Sequence, residues 1–193
     1  MEDLKIYRMH PSVYLPRHST EDSACFDIQF NPAYKNTYKG YNKQNSEFNR
    51  TFSDGTMIIM PGDRIMVPTG LVLDIPKGFS VRLHPRSGLS LKNGLVLANS
   101  EAVIDSDYTE ELFVLLTNMS ESKQIITVGD RLAQGELVAK QSYKIVDVNT
   151  SPTQKTDRIG GFGSTGINTV LVLDRTVEQQ AKSRGRPRKI QDA

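Results

Sequence analysis

The chain has a single cysteine, Cys25, among 193 residues. One thiol excludes an internal disulfide and supplies no thiolate cluster for a metal, a pattern that fits a reducing compartment. Histidine is nearly as scarce: His10, His18 and His84 are the whole set, and none stands at ligand spacing from another, so no zinc site is expected. No apolar run approaches the ~20 residues that a bilayer-spanning helix needs. Residues 1–12 carry charges where a signal peptide needs an apolar stretch, so a cytoplasmic location is expected. An excess of either charge is missing too. With 24 Lys and Arg against 22 Asp and Glu, net charge gives no reason to expect nucleic acid or membrane as the main partner. The distribution is uneven, however. From Arg175 onward there are six basic residues and two acidic ones, which leaves a mildly acidic body and a basic tail. Internal repeats are absent, and nothing before about residue 170 shows sustained helical periodicity, apart from a short helical turn expected near 87–92.

What fills the middle is short apolar runs punctuated by Pro, Gly and Asp: "MIIM" then "PGD", "IMV" then "PTG", "LVLDI" then "PKG", "FSVRL" then "HPRSG", and later "LFVLLT", "KQIITV" and "GELVAK". Runs of this length with such punctuation predict an all-β barrel or sandwich. The length favours one domain with a substantial core. Two stretches break the rhythm. Residues 31–57, rich in Asn, Lys and Tyr without clear alternation, read as an inserted surface loop with room for a hairpin. Residues beyond 166 offer a strand and a short helix, then a stretch, "RGRPRKIQDA", that is expected to be disordered alone.

Four segments carry groups suited to chemistry. In "HPRSGLS", 84–90, Arg86, Ser87 and Gly88 follow a strand and offer a guanidinium fork, a hydroxyl and an unobstructed backbone N–H, which suit phosphate oxygens. An ordinary turn with a surface arginine has the same residues. In "GGFGSTG", 160–166, glycines and hydroxyls surround Phe162, so backbone amides can wrap a polyphosphate while the ring covers a base. A flexible linker is the competing reading, and no Gly-Lys-Ser/Thr closes a Walker loop. Asp105 follows the apolar Val103 and Ile104, and strand alternation points it to the same face as Asp107. Either a general base held at a strand rim or the start of a turn accounts for that pattern. In "GDRLAQGEL", 129–137, Gln134 is the one polar group without an evident structural reason.

Taken in order, "SACFDI" (23–28), "PRSGLS" (85–90), "VIDSDY" (103–108), "RLAQ" (131–134) and "GGFGSTG" (160–166) follow the sequence and approximate spacing of the five motifs of the trimeric dUTPase family. The chain resembles that family over about 4–166. The resemblance implies a jelly-roll-like distorted β-barrel, here over 1–156 with the insert at 31–57, then a Gly-rich arm at 157–166 and a tail at 167–193. It also implies a homotrimer with sites shared among three chains, and hydrolysis of dUTP to dUMP and diphosphate with Mg²⁺. By the same resemblance Asp105 is the catalytic residue that orients the attacking water. Arg86, Ser87 and Gly88 hold the α and β phosphates, Ala98, Asn99 and Ser100 read uracil, and Tyr108 stacks on the sugar. Asp27 and Gln134 meet the ion through water, with Gln134 also touching phosphate. Arg158, Phe162, Gly163 and Ser164 belong to the arm that closes over uracil and the γ-phosphate.

The chain departs from the family pattern at Cys25, Ala102 and Glu110, where glycine is usual, and at Arg158, which stands four residues before Phe162 instead of five. The tail core "RGRPRK", 184–189, resembles an AT-hook, which implies a weak contact with the minor groove of DNA. Two other functions compete. A dCTP deaminase of related fold shares the Arg-Ser phosphate motif but lacks the Ile-Asp-x-x-Tyr run and the arm, and a non-catalytic regulator would act through insert or tail.

Overall fold

The computed structural model describes residues 2–157. Arg158, Phe162, Gly163, Ser164 and the 167–193 tail with its basic core lie outside the described residues. Residues 2–143 form one unit that carries every described strand and the helix, while 144–157 belong to a second and have neither.

In chain order the described elements are β1 (Lys5–Arg8), β2 (Phe26–Gln29), β3 (Thr37–Tyr41), β4 (Glu47–Thr51), β5 (Thr56–Ile59), β6 (Arg64–Asp74), β7 (Phe79–Pro85), α1 (Ser87–Asn93), β8 (Leu95–Leu97), β9 (Ala102–Asp105), β10 (Glu111–Asn118), β11 (Gln124–Thr127) and β12 (Arg131–Ala139). The apolar runs have become strands, as their punctuation predicts, and the expected helical turn is α1. A six-stranded sheet runs β4-β3-β6-β10-β8, with β1 also on β6. A four-stranded sheet runs β2-β12-β7-β9, and β11 pairs with β5. The result is a jelly-roll-like, distorted β fold whose sheets wrap a common core without closing into one barrel.

Alternation decides what enters that core. Leu112, Val114 and Leu116 of β10 point inward while Leu115 stays exposed, and Ile65, Val67, Leu71 and Leu73 of β6 meet them alongside Val81 and Leu83 of β7. Burying each such side chain contributes about 1.5–3 kcal/mol relative to exposure.

The 31–57 stretch is more than a surface loop. It forms the β3–β4 hairpin, and β3 extends the large sheet by pairing Gly40 with Ile65. Tyr38 is only 5% exposed; its hydroxyl donates to the Ile58 carbonyl at 3.0 Å, and its ring lies 5.4 Å from that of Phe52. Arg50 of β4 pairs with the buried Asp63 carboxylate at 2.8 Å, and Lys35 pairs with buried Glu111 of β10. Alternation is hard to see in this segment because its inward positions are held by tyrosine and glycine, which no apolar pattern registers.

Glu111 also accepts from the Gly70 amide at 2.9 Å. Gly70 has φ +66°, and a Cβ there would sit 2.6 Å from Val13 Cγ2. Gly70→Ala is therefore expected to lose about 1–2 kcal/mol to the left-handed backbone and about 1–3 kcal/mol more to crowding. A urea denaturation midpoint within error of the parent protein would contradict this.

Candidate active site

The strand β7 ends at Pro85, and Arg86 turns the chain into α1 in an extended conformation, φ −92° and ψ 124°, with no side chain capping the helix. The first amides of the helix, at Ser87 and Gly88, consequently lack intrahelical acceptors. A Cβ added to Gly88 would meet no atom within 4 Å, so the space over this turn is open.

The neighbouring sheet brings a carboxylate to the same place. Gln134 of β12 is register partner to Asp27 of β2 on one side and to His84 of β7 on the other. Asp27 Oδ1 lies 3.3 Å from Arg86 Nε; Oδ2 accepts from Arg131 Nη1 at 3.1 Å and from the Ser19 hydroxyl at 3.2 Å. Arg86 Nη1 in turn donates to the Arg131 carbonyl at 3.2 Å. Asp27 Oδ1 is buried and accepts no hydrogen bond. The chain thus collects Asp27, Arg86, Ser87, Gly88 and Gln134 at one end of the four-stranded sheet. Arg131 and Ser19 join them unforeseen. Arg131 opens the "RLAQ" motif, and a charge directly before the buried Leu132 was the available signal.

Asp105 lies elsewhere. It ends β9 opposite Ser80, while Ala102 stands opposite Leu83. Arg86 follows Ser80 by six residues along an extended strand, so at ~3.3 Å per residue the two functional ends are about 20 Å apart. The Asp105 side chain is exposed and makes no hydrogen bond or ion pair among the described residues. The expected common face with Asp107 is not realised: β9 stops at Asp105, and Asp107 belongs to the turn that follows, where strand alternation no longer applies.

Around that turn the Tyr108 amide donates to the Asp105 carbonyl at 3.1 Å and its hydroxyl donates to the Glu111 carbonyl at 2.8 Å. Partial burial pushes the Tyr108 phenol above its ordinary range, and the Glu110 and Glu111 charges push the same way, which keeps the hydroxyl a neutral donor. The ring remains 39% exposed. Although β9 and β10 are consecutive, they belong to different sheets. The connection through Tyr108 is therefore a crossing from one sheet to the other, and the two strands do not pair with each other.

Ala98, Asn99 and Ser100 form the exposed turn between β8 and β9, at the far end of β9 from Asp105. The Ala98 amide is spent on the Leu115 carbonyl at 2.9 Å, and the Ser100 amide on Leu97 at 3.1 Å, with Ser100 at φ +62°. The Asn99 carbonyl accepts from the Glu101 amide at 2.7 Å, so the turn offers outward the Ala98 and Ser100 carbonyls with the backbone N–H and side chain of Asn99. Ala102, standing where relatives have glycine, is accommodated at the edge of the core at 9% exposure.

One grouping runs against the expectation from histidine and cysteine spacing. Cys25, His84 and Glu136 converge on the four-stranded sheet with ligand atoms within 4.8 Å of one another. Burial first, then the Glu136 charge, raises the Cys25 thiol pKa.

With this geometry in place, the comparisons with known proteins are direct. The dUTPase family profile matches residues 52–166, leaving the Asp27 segment and most of the insert outside it. The deoxyuridine 5'-triphosphate nucleotidohydrolase of Caulobacter vibrioides is 43% identical over 115 residues, covering 59% of this chain and 73% of that protein. The protein of the same name from Syntrophotalea carbinolica is 33% identical over 165 residues, covering 85% of this chain and 97% of its own. Among solved structures, a mutant dUTPase of Staphylococcus bacteriophage 80alpha with dUpNHpp superposes with a TM-score of 0.68 at 19% identity, covering 86% of this chain and 100% of that one. The dUTPase from Streptococcus mutans gives 0.56 at 23% identity, covering 74% and 99%. At those identities the structures speak for the fold, and the sequence matches speak for the lineage. On the sequence matches the chain belongs to the dUTPase family.

Proposed function

We propose that the protein is a dUTP diphosphatase that hydrolyses dUTP to dUMP and diphosphate, acting as a homotrimer in which each site draws on more than one chain. The activity follows from family membership, and the observation that carries the shared site is the β7–β9 register. A carboxylate about 20 Å from the arginine it must work with cannot serve the same substrate in one chain. Around a threefold ring, the Asp105 end of one subunit meets the Arg86 end of its neighbour.

In that site the Asp105 carboxylate accepts a proton from a water aligned for attack on the α-phosphorus, and diphosphate leaves on the opposite side. Arg86, the Ser87 hydroxyl and the amides at 87 and 88 receive the charge that develops on the bridging oxygen, where donors matter most in the transition state. The turn at 98–100 supports uracil recognition through its carbonyls and Asn99, and the exposed Tyr108 ring supports the sugar. Arg158, Phe162, Gly163 and Ser164 are assigned to closure over base and γ-phosphate by family resemblance alone.

Mg²⁺ fits the residues present. Asp27 Oδ1 is a buried carboxylate oxygen that accepts no hydrogen bond, with the Arg86 guanidinium as its ion-pair neighbour at 3.3 Å, and Gln134 stands beside it in register. These are groups for a hydrated ion, since Mg²⁺ keeps its waters and takes phosphate oxygens directly. A structural Mg(II) ion is named for a phage phi11 dUTPase of similar fold. When bound, the ion would neutralise and clamp the triphosphate.

Among the described residues no helix is long and apolar enough to cross a membrane, and a cytoplasmic enzyme that keeps uracil out of DNA while supplying dUMP is the consistent assignment. Incubation with dUTP and Mg²⁺ is expected to release dUMP and diphosphate in equal amounts. Ammonia from dCTP, or inertness toward dUTP, would overturn the reading.

A further inference from the structure

The four-stranded sheet has one face that is polar across three strands, and the register explains how. Gln134 sits level with Asp27 and His84, and Gly135 with Phe26, so the next position along β12, Glu136, comes level with Cys25. Three donors of different chemistry, a thiol, an imidazole and a carboxylate, are thereby placed together, all half-buried, with ligand atoms within 4.8 Å of one another. His84 Nε2 is 3.3 Å from Glu136 Oε2. Two ligands at about 2.0–2.1 Å from a tetrahedral ion are separated by about that distance.

The imidazole has a second acidic neighbour. Its other nitrogen, Nδ1, faces Glu101 Oε1 at 3.7 Å, and Glu101 Oε2 accepts from Arg82 Nη1 at 3.2 Å. At 3.7 Å the Glu101 carboxylate is an ion-pair neighbour of the ring and not a hydrogen-bond acceptor, so it adds negative charge beside the cluster without fixing the tautomer. Glu101 begins the approach to β9 and Arg82 lies on β7. That charge therefore comes from a different edge of the sheet than Cys25 does.

We propose that Cys25, His84 and Glu136 form a site for one zinc-class divalent cation per chain. A thiolate and a carboxylate balance the charge of a dication. A soft sulfur with an imidazole nitrogen selects Zn²⁺ or Co²⁺ over the Mg²⁺ that serves a triphosphate. Three protein ligands leave one position for water. By joining the start of β2 to β12 and β7, the ion would tie together the strands that carry Asp27, Gln134 and Arg86. The proposal stands on the sheet geometry and does not depend on the reaction assigned above.

The test uses the full chain with its thiol reduced, stripped by a chelator and free of nucleotide, titrated with Co²⁺. Because the chain has one cysteine, a thiolate-to-cobalt charge-transfer band reports Cys25 and nothing else. One Co²⁺ per chain is expected, with that band present, displaced by stoichiometric Zn²⁺ and untouched by excess Mg²⁺. Cys25→Ser should abolish the band, and His84→Ala and Glu136→Gln should each weaken Co²⁺ binding at least about tenfold. Absence of the band at saturating Co²⁺ in the unsubstituted protein overturns the proposal without recourse to any variant. So does a band whose Co²⁺ affinity is the same in His84→Ala and Glu136→Gln, or a stoichiometry of one ion per three chains, which would put the cation between subunits.

Discussion

Asp105→Asn is expected to lower kcat for dUTP hydrolysis by about 10²–10⁴-fold, the range typical of losing a positioned general base. The amide matches the carboxylate in shape but cannot take the proton of the attacking water. Stability should stay within about 0.5 kcal/mol of the parent, because the Asp105 side chain is exposed and has no partner among the described residues. The KM should move far less than kcat, since the missing interaction is made chiefly in the transition state. Steady-state diphosphate release and a thermal melt on the same preparation check all three. A variant that keeps parental kcat would remove Asp105 from the chemistry and leave only its place at the end of β9.

How much of this is legible in the sequence depends on whether the deciding information is local. Strand positions and α1 are local: alternating apolar residues between Pro and Gly fix β6, β7 and β10, and the break after Pro85 fixes the helix. Pairing register is not local. That Asp105 stands opposite Ser80, remote from Arg86, depends on which strands lie beside β7, and a motif list treats the two residues as companions. The Cys25, His84 and Glu136 grouping was hidden for the same reason, with 52 residues separating His84 from Glu136 in the chain. Ligand-spacing rules look for short-range pairs, whereas a sheet assembles its groups across strands. Tyr38 escaped because a buried tyrosine whose hydroxyl finds a backbone partner behaves as core while counting as a polar-leaning surface residue in composition. Asp107 shows the converse, since strand alternation does not carry two residues past the end of β9 at Asp105.

The separation between the two ends of β7 leads to the second large effect. Arg86→Ala removes the guanidinium expected to meet developing charge, and the variant should lose about 10²–10³-fold in kcat. Asp105→Asn is expected to be impaired at least as much, so neither preparation alone supports more than about a hundredth of parental turnover. If each site takes Asp105 from one subunit and Arg86 from the next, equal amounts of the two variants, unfolded and reassembled together, form some sites with both groups intact. Random association leaves half the contributors of each residue functional, so about one quarter of sites should recover. The same two variants reassembled separately and then combined without subunit exchange should recover none. A site confined to one chain predicts a different result, because every chain in the mixture carries one defect and no arrangement of whole chains repairs it. Activity from the co-assembled mixture would thus follow from the Ser80–Asp105 pairing itself, since that pairing forbids the two groups from meeting within a subunit.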